Sequence, residues 1–157
     1  MRLTRQRLIL LAAGGSTALL AGAFLFQFLG WAPCKLCLWQ RWPHAVAIAI
    51  GAIALTVGGR IWAWAGAACM VAASGLALYH TGVERKWWEG PASCTGGGDL
   101  PLGAGSALLP GAAADTPALV LCDQLQPFFL GLTMANWNLL FSLGLLAFWI
   151  AAAMRRD

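Results

Sequence analysis

Four long apolar stretches dominate the pattern of hydrophobic and polar positions along the chain. Each has about the length of the roughly 20 helical residues that cross a bilayer core of about 30 Å. The predicted spans are residues 8–29, 39–57, 61–79 and 135–154. Only Gly58, Gly59 and Arg60 connect the second span to the third, and short connections make neighbouring helices antiparallel. The pattern therefore predicts an all-α membrane protein in which four transmembrane helices form an up-down bundle.

The composition agrees with a lipid environment and limits the classes of partner. Of the 157 residues, 60% are hydrophobic and 10% are charged, whereas an ordinary soluble domain carries about 25% charged residues. The net charge of +4 comes from scattered basic residues rather than from a run that would line a nucleic-acid groove. We therefore expect a single integral membrane domain over residues 1–157, with the lipid bilayer and no nucleic acid among its partners.

Basic residues at the ends of the predicted helices indicate the topology, because cytoplasmic loops carry an excess of Lys and Arg. Four spans place six arginines on one side, so both termini are expected in the cytoplasm and segments 30–38 and 80–134 outside it. The apolar stretch of about 22 residues near the N-terminus is too long for the 7–15 residues typical of a cleaved signal peptide. The six inner residues are Arg2, Arg5, Arg7, Arg60, Arg155 and Arg156, against Lys35, Arg41, Arg85 and Lys86 outside.

The second outer segment, residues 80–134, is long for so small a protein. It contains Gly96-Gly97-Gly98 and five prolines, so much of it is expected to be irregular. Loops of this length are usually functional or disordered. The glycine triplet lacks the GxGxxG spacing and follows no predicted strand, so it does not indicate a nucleotide site.

Cysteine placement carries the candidate chemistry. Cys34 and Cys37 form a C-x-x-C at the mouth of the second helix, while Cys94 and Cys122 lie in the long outer segment. Four of the five cysteines thus fall on the side of the membrane where disulfides persist. Cys69 lies within the third span and is most simply a small apolar residue.

Three interpretations of the four outer cysteines stay open on spacing alone. Two structural bridges would staple the loops, and a Cys94–Cys122 bridge closing about 29 residues would contribute roughly 3–4 kcal/mol. A zinc site is disfavoured because four-cysteine sites usually have two closely spaced pairs, whereas only one pair is close here. The third interpretation is a redox relay in which the C-x-x-C disulfide exchanges with a second disulfide.

Arg41 favours the relay. It follows Cys37 by four residues and shares its helical face if the helix begins near the motif. A helix that begins there is compatible with Pro43 only if that proline lies in the first turn. A helix N-terminus and a nearby arginine both stabilise a thiolate, the form that attacks disulfides. The alternative for Arg41 is an arginine that extends from the membrane interface to water.

A relay needs an electron acceptor, and the chain contains no pattern typical of a flavin, nicotinamide or haem site. A lipid-soluble quinone is the simplest acceptor for a protein with so little soluble mass, and it could approach Cys37 from the bilayer. Arg41 could donate a hydrogen bond to a quinone carbonyl, with Trp39 and Trp42 as stacking surfaces. Tryptophans at these positions are more often interfacial anchors.

Residues 33–41, Pro-Cys-Lys-Leu-Cys-Leu-Trp-Gln-Arg, resemble the P-C-x-L-C-x-aromatic-Glu/Gln-Arg signature of the disulfide bond formation protein B (DsbB) family. Weaker similarity extends through Tyr79-His80-Thr81 and through Cys122-Asp123 with the following Phe129-Leu130-Gly131-Leu132, so that it covers essentially the whole chain. No partner-docking motif is evident in the Gly/Ala-rich stretch 96–117.

The resemblance implies a protein-disulfide:quinone oxidoreductase in the bacterial inner membrane. A periplasmic DsbA-like thiol oxidase would attack the Cys94–Cys122 disulfide at Cys94, and Cys122 would then exchange with Cys34. Cys37 would be released as a thiolate and donate electrons to ubiquinone or menaquinone beside Arg41. His80 matches a family histidine near the quinone, although by itself it would be interpreted as an interfacial polar residue. No metal is expected.

Two further classes are alternatives. A quinone reductase resembling vitamin K epoxide reductase would also use a four-helix bundle with a C-x-x-C, but in that family the motif occurs late in the chain. A non-catalytic membrane subunit would use its disulfides only as structural links.

Overall fold

A computed structural model describes residues 4–91, 94, 121–125 and 127–155. A two-stranded antiparallel hairpin leads directly into the last of four helices. The predicted irregular stretch 96–117, with its glycine triplet, and the topology residues Arg2 and Arg156 lie outside the described residues. The elements are α1 Arg5–Phe28, α2 Lys35–Val57, α3 Arg60–Glu84, β1 Pro127–Phe129, β2 Leu132–Thr133 and α4 Met134–Met154.

The helices form an up-down bundle in which α1 packs against α2 and α4, and α3 packs against α2 and α4. Gly58 and Gly59 make the whole connection between α2 and α3, with φ of 76° and 95°. These φ values lie in the left-handed region that glycine adopts without strain, so this turn is only two residues long. One end of the bundle, here called the disulfide end, contains the start of α2 and the end of α3. The opposite end, which contains the Gly58-Gly59 turn and Arg60, is called the arginine end.

Two helices, α2 and α3, extend by several residues beyond the predicted spans at the disulfide end. α2 begins at Lys35 rather than at 39, and α3 continues to Glu84 rather than stopping at 79. Pro43 therefore lies about two turns inside α2, and the expectation that it must occupy the first turn was wrong. Helices in apolar surroundings tolerate an internal proline because neighbouring groups satisfy the freed backbone.

Three of the described helices, α1, α3 and α4, are long and apolar enough to cross a membrane. The chain is therefore a multi-pass helical membrane protein. α2 has a similar length, but its first three turns contain Lys35, Gln40, Arg41 and His44, which lower its mean hydropathy.

Small residues bring the helices close together toward the arginine end. Trp149 of α4 is fully buried and faces Gly66 of α3, where a Cβ atom would lie 2.5 Å from the indole ring. Gly51 of α2 approaches Ala13 of α1 equally closely. Close backbone approach is the usual source of helix association in lipid, where apolar burial gives no net driving force. The buried core there consists of Leu8, Ile9, Ala12, Ala47, Ala54, Ala63, Ala67, Met70, Ala73, Leu145, Trp149, Ala152 and Ala153.

Candidate functional site

The C-x-x-C lies at the N-terminus of α2, where the structure joins Cys34 and Cys37 in a disulfide with a Cα–Cα distance of 5.0 Å. Cys34 is the N-cap residue, and its Sγ accepts a hydrogen bond from the Cys37 backbone N–H at 3.0 Å. An N-cap normally uses a side-chain oxygen to satisfy a free N–H of the first turn. Here sulfur takes that role, so the helix N-terminus is aimed at the Cys34 sulfur.

Cys94 and Cys122 form a second disulfide, also with a Cα–Cα distance of 5.0 Å. The Cys122 N–H donates to the Cys94 carbonyl at 2.9 Å. Both disulfides belong to one buried apolar cluster, in which Leu36 and Val83 are the other buried members. Residues from distant parts of the sequence therefore bring the two sulfur pairs into the same small volume.

The end of α3 supports this cluster with aromatic side chains. Tyr79 packs against it and stacks on Trp88, with ring centroids 6.2 Å apart. The Trp88 indole Nε1 donates to the Tyr79 carbonyl at 2.8 Å, and the Tyr79 hydroxyl donates to the Glu89 carbonyl at 3.1 Å. The chain that leaves α3 is thereby folded back toward the cluster.

His80 is buried beside the C-x-x-C disulfide, with Nε2 3.5 Å from Cys34 Sγ. The same nitrogen lies 3.8 Å from Glu84 Oε1, one turn further along α3. Ligand-type atoms of Cys34, Cys37 and His80 lie within 4.8 Å of one another. Because the two sulfurs are bonded to each other, they are not the thiolates that a metal ion requires.

Glu84 is a buried acidic residue that the sequence analysis did not select. The Thr133 hydroxyl, at the start of α4, donates to Glu84 Oε2 at 2.6 Å. Thr133 also caps α4 and accepts from the side-chain amide of Asn136 at 3.0 Å, and Thr81 donates to Asn136 at 3.1 Å. The ends of α3 and α4 are thus joined through polar groups next to His80.

A second set of polar contacts continues from His80 into the bundle. Gln40 Nε2 lies 2.6 Å from His80 Nδ1, and Asn138 Nδ2 donates to Gln40 Oε1 at 2.5 Å. Asn138 Oδ1 lies 3.1 Å from His44 Nε2. Sequence reasoning selected neither His44 nor Asn138. The signal it could have used is that polar residues inside an apolar helix are costly and mark functional sites by default.

Arg41 points toward α1 rather than along α2. Its guanidinium donates to Gln27 Oε1 at 2.7 Å and to the Ala23 carbonyl at 3.4 Å, and it lies 4.8 Å from the centre of the Phe24 ring. The structure places Arg41 on the wall of the same cavity as Cys37. These contacts fix the guanidinium at the edge of that cavity.

The cavity has a volume of about 500 Å³ and is walled mainly by apolar side chains of α1, α4 and the β hairpin. Phe128 of β1 packs on Phe26 and Trp31, with ring centroids 5.0 and 6.0 Å apart, and closes one side. Among the described residues, the polar side chains and cysteines that line the cavity come from α2 and its N-cap, α3, α4 and the segment before β1. They are Cys34, Cys37, Gln40, Arg41, His44, His80, Glu84, Gln124 and Asn138.

The structure does not bring Trp39 and Trp42 into this cavity. They line a shallower apolar surface together with Pro43 and Cys69 on another face of α2. Lys35 lies 5.8 Å from the centre of the Trp39 ring. Among the residues singled out as quinone contacts, Cys37, Arg41 and His80 converge on one cavity, whereas the two tryptophans face elsewhere.

The fold and the site together define a multi-pass helical membrane protein with two disulfides packed beside an apolar cavity. The chain belongs to the DsbB family, since the family described as "Disulfide bond formation protein DsbB" matches residues 5–152. It is similar to "Disulfide bond formation protein B" of Dechloromonas aromatica (strain RCB), with 28% identity over 142 residues that cover 87% of this chain and 84% of the relative. No solved structure matches the chain. Its family makes it a disulfide-forming oxidoreductase.

Proposed function

We propose that this protein reoxidises an extracytoplasmic thioredoxin-like dithiol oxidase, of the DsbA type, and passes the electrons to a membrane quinone. The observation that carries the proposal is the packing of both disulfides in one buried cluster beside an apolar cavity. Disulfide exchange requires direct contact between sulfur atoms, and a lipid-soluble acceptor requires an apolar site. The two requirements meet at the disulfide end of the bundle.

Electrons enter by thiol–disulfide exchange. A thiolate of the partner attacks Cys94, breaking the Cys94–Cys122 bond, and the second partner thiol resolves the mixed disulfide. Cys122 then attacks Cys34, which breaks the Cys34–Cys37 bond and leaves the electron pair on Cys37. The Cys94 thiolate next attacks Cys122, which breaks the Cys122–Cys34 bond, restores the Cys94–Cys122 disulfide and leaves Cys34 and Cys37 both reduced. Two thiols of the partner become one disulfide, and two electrons and two protons are transferred inward. Support for this order comes from Cys34, whose sulfur packs in the same cluster as Cys122.

Cys37, Arg41 and His80 are the residues that would hold the quinone headgroup, because all three line the cavity. The bound quinone, ubiquinone or menaquinone, supplies an acceptor for two electrons and two protons. The fit rests on the chemistry of the wall, which is apolar on the α1 side and, apart from Asn138, on the α4 side. The wall also offers the Arg41 guanidinium and two imidazoles from α2 and α3. Arg41 is positioned to donate a hydrogen bond to a carbonyl, and the apolar walls exclude water.

We further propose that α2 is the fourth transmembrane span and that the disulfide end lies in the periplasm of a bacterium, with both termini on the cytoplasmic side of the inner membrane. Support comes from the arginine end, where basic residues of three helices collect. Arg60 donates to the Ala153 carbonyl at 2.8 Å, and Arg5 donates to the carbonyl of Arg155. Basic residues close to helix ends are the signal of the cytoplasmic side.

The proposal is tested with purified protein in detergent, a reduced thioredoxin-like dithiol oxidase and a soluble quinone. Oxidation of the partner should require the quinone. Cys37→Ser should reduce turnover to the uncatalysed rate, because the protein then has no Cys34–Cys37 disulfide that can accept the electron pair. Cys69→Ser is the matched control, since Cys69 is a free cysteine of α3 outside the cluster. Full turnover by the Cys37→Ser protein would overturn the proposal.

Arg41→Ala should weaken use of the quinone more than use of the protein partner. Loss of one charge-assisted hydrogen bond predicts a rise of roughly tenfold or more in the quinone KM. The KM for the reduced partner should change little, because exchange occurs at the sulfur cluster. An equal rise in both constants would contradict a role for Arg41 at the cavity.

A purely structural role is the second candidate, and the near-complete burial of Cys94 and Cys122 favours it. Structural disulfides typically have reduction potentials below about −300 mV, whereas exchanging disulfides are more oxidising. A redox titration that resolves the two pairs separates the candidates. A value below this limit for both pairs would favour the structural role.

A further inference from the structure

Polar side chains from all four helices meet inside the half of the bundle nearest the disulfides. α1 contributes Ser16, α2 contributes Gln40 and His44, α3 contributes His80 and α4 contributes Asn138. Four of these five residues are buried, and Asn138 is half-buried. Each such group in an apolar bundle costs free energy unless it finds a partner, and here each one has a partner on a different helix.

The hydrogen bonds run in one direction from His44 to the disulfide. The side-chain amide of Asn138 has one oxygen, which accepts hydrogen bonds, and one nitrogen, which donates them. Its two contacts use different atoms, so it accepts in one and donates in the other. Its Oδ1 faces His44 Nε2, which must therefore donate, and its Nδ2 donates to Gln40 Oε1. With its oxygen occupied as an acceptor, Gln40 presents Nε2 as a donor to His80 Nδ1.

This direction determines the tautomer of His80. A neutral imidazole has one donor nitrogen and one acceptor nitrogen. Because Nδ1 accepts from Gln40, the ring proton is on Nε2, the nitrogen 3.5 Å from Cys34 Sγ and 3.8 Å from Glu84 Oε1. The Cys34 sulfur then faces two N–H groups, that of His80 and the backbone N–H of Cys37 at 3.0 Å.

We propose that Asn138 and Gln40 are positioning residues that hold His80 in the Nε2–H tautomer, so that its N–H stabilises negative charge on Cys34. When the Cys34–Cys37 bond is reduced by two electrons, the bonding pair stays on one sulfur, the added pair goes to the other, and each sulfur becomes a thiol or a thiolate. A donor aimed at Cys34 stabilises its thiolate, and a stabilised reduced form makes a disulfide more oxidising. The use made of this effect rests on the proposed function, but the tautomer and the redox shift do not.

The tautomer can be measured directly, because the chain has only two histidines. Nitrogen-15 NMR of histidine-labelled protein in detergent distinguishes protonated from unprotonated ring nitrogens, and loss of one set of signals in His80→Gln assigns them. We expect the oxidised wild-type protein to show His80 with its proton on Nε2. A proton on Nδ1 in the wild-type protein would overturn the proposal at once.

Asn138→Asp tests the role of the amide. At about pH 8 the introduced carboxylate only accepts hydrogen bonds, and the neighbouring His44 favours its ionised form. Gln40 must then turn its nitrogen toward the carboxylate and its oxygen toward His80, which moves the His80 proton to Nδ1. An unchanged tautomer in this variant would remove Asn138 from the positioning role.

Two further variants make the test independent of how well Asn138→Asp folds. Asn138→Leu leaves Gln40 free to turn, so both tautomers of His80 should appear, and a single unchanged one would count against the proposal. Ser142→Ala is the control, because Ser142 contacts His44 Nε2 at 3.5 Å without forming any link of the series. It should leave both histidine spectra unchanged, and a changed His80 tautomer there would contradict the assigned route.

The redox consequence is measured in the absence of any quinone or partner. Equilibration with a reference dithiol, followed by alkylation and peptide-level mass spectrometry, reports the Cys34–Cys37 pair separately from Cys94–Cys122. In Asn138→Asp the equilibrium should move toward the disulfide on the order of tenfold, as for loss of a hydrogen bond to a charged group, which equals about 30 mV for a two-electron couple. No shift, despite a changed tautomer, would show that the His80 N–H does not act on Cys34.

Discussion

The two halves of the bundle solve the same packing problem with opposite chemistry. Toward the arginine end, alanine, glycine and one buried tryptophan bring backbones into close contact. Toward the disulfide end, buried histidine, glutamine, threonine and glutamate are joined across the helices by hydrogen bonds. Shape determines how the interior of the first half packs, with hydrogen bonds from Arg5 and Arg60 to carbonyls at the end of α4 only at its outer end. The second half also requires each buried polar group to meet a particular atom.

This difference indicates that helix packing for stability and the polar groups of the candidate site lie in different halves of the protein. Close van der Waals packing is sufficient to hold helices together in lipid, and the arginine half uses little else among the described residues. The disulfide half carries groups that are expensive to bury, and they surround Cys34 and the cavity. Three substitutions separate these two modes of packing, from the largest expected effect to the smallest.

Thr133→Val should have the largest effect, in the disulfide half. The variant keeps the shape but removes the donor to Glu84 and the cap of α4. Loss of a helix cap costs about 1 kcal/mol, and an unsatisfied buried carboxyl group costs about 1–3 kcal/mol, so destabilisation by roughly 2–4 kcal/mol is expected. Denaturant titration in micelles measures it. Thr133→Ser keeps the hydroxyl and should lose far less; equal losses would point to the methyl group instead.

Gly66→Ala should have the next effect, in the arginine half. The added Cβ would lie 2.5 Å from the ring of Trp149, which is 0% exposed and cannot move into solvent. Overpacking of this kind costs about 1–3 kcal/mol, while disulfide exchange per folded molecule should be unchanged. Gly75→Ala on the same helix is the control, because a Cβ there meets nothing within 4 Å. Greater helix propensity should make it neutral or slightly stabilising, so equal losses in the two variants would refute the packing explanation.

Gly82→Ala should have the smallest effect on stability although its clash with Trp88 is the closer one. Trp88 is 42% exposed and can swing away, so the loss is about one hydrogen bond, that between Trp88 and the Tyr79 carbonyl, or roughly 1 kcal/mol. The freed ring should appear as a red shift and greater quenching of tryptophan fluorescence. A destabilisation larger than that of Gly66→Ala would mean that the stacked Tyr79 and Trp88 rings are held as rigidly as the buried core.

Part of the candidate site followed from the chain alone, because it depends on local order. The C-x-x-C lies at the start of a helix because Pro33 and Cys34 directly precede the stretch that forms α2, with Cys34 as its N-cap. The spacing of the four apolar stretches gave the number and order of the helices, although α2 is more polar than the other three. Helix ends were less predictable, since α3 continues through His80 to Glu84, where buried partners replace water.

The sequence by itself determined the helical class, the family and the identity of the cysteines, because apolar length and motif spacing are properties of a linear chain. Only the tertiary structure decided which groups meet. Gln40 and Asn138 are 98 residues apart and are joined by a hydrogen bond, while Trp39, two residues after Cys37, faces away from the cavity. Neighbouring residues on a helix point in different directions, and helix packing determines which residues meet across the bundle. Contacts of this kind therefore leave no pattern in the amino-acid sequence alone.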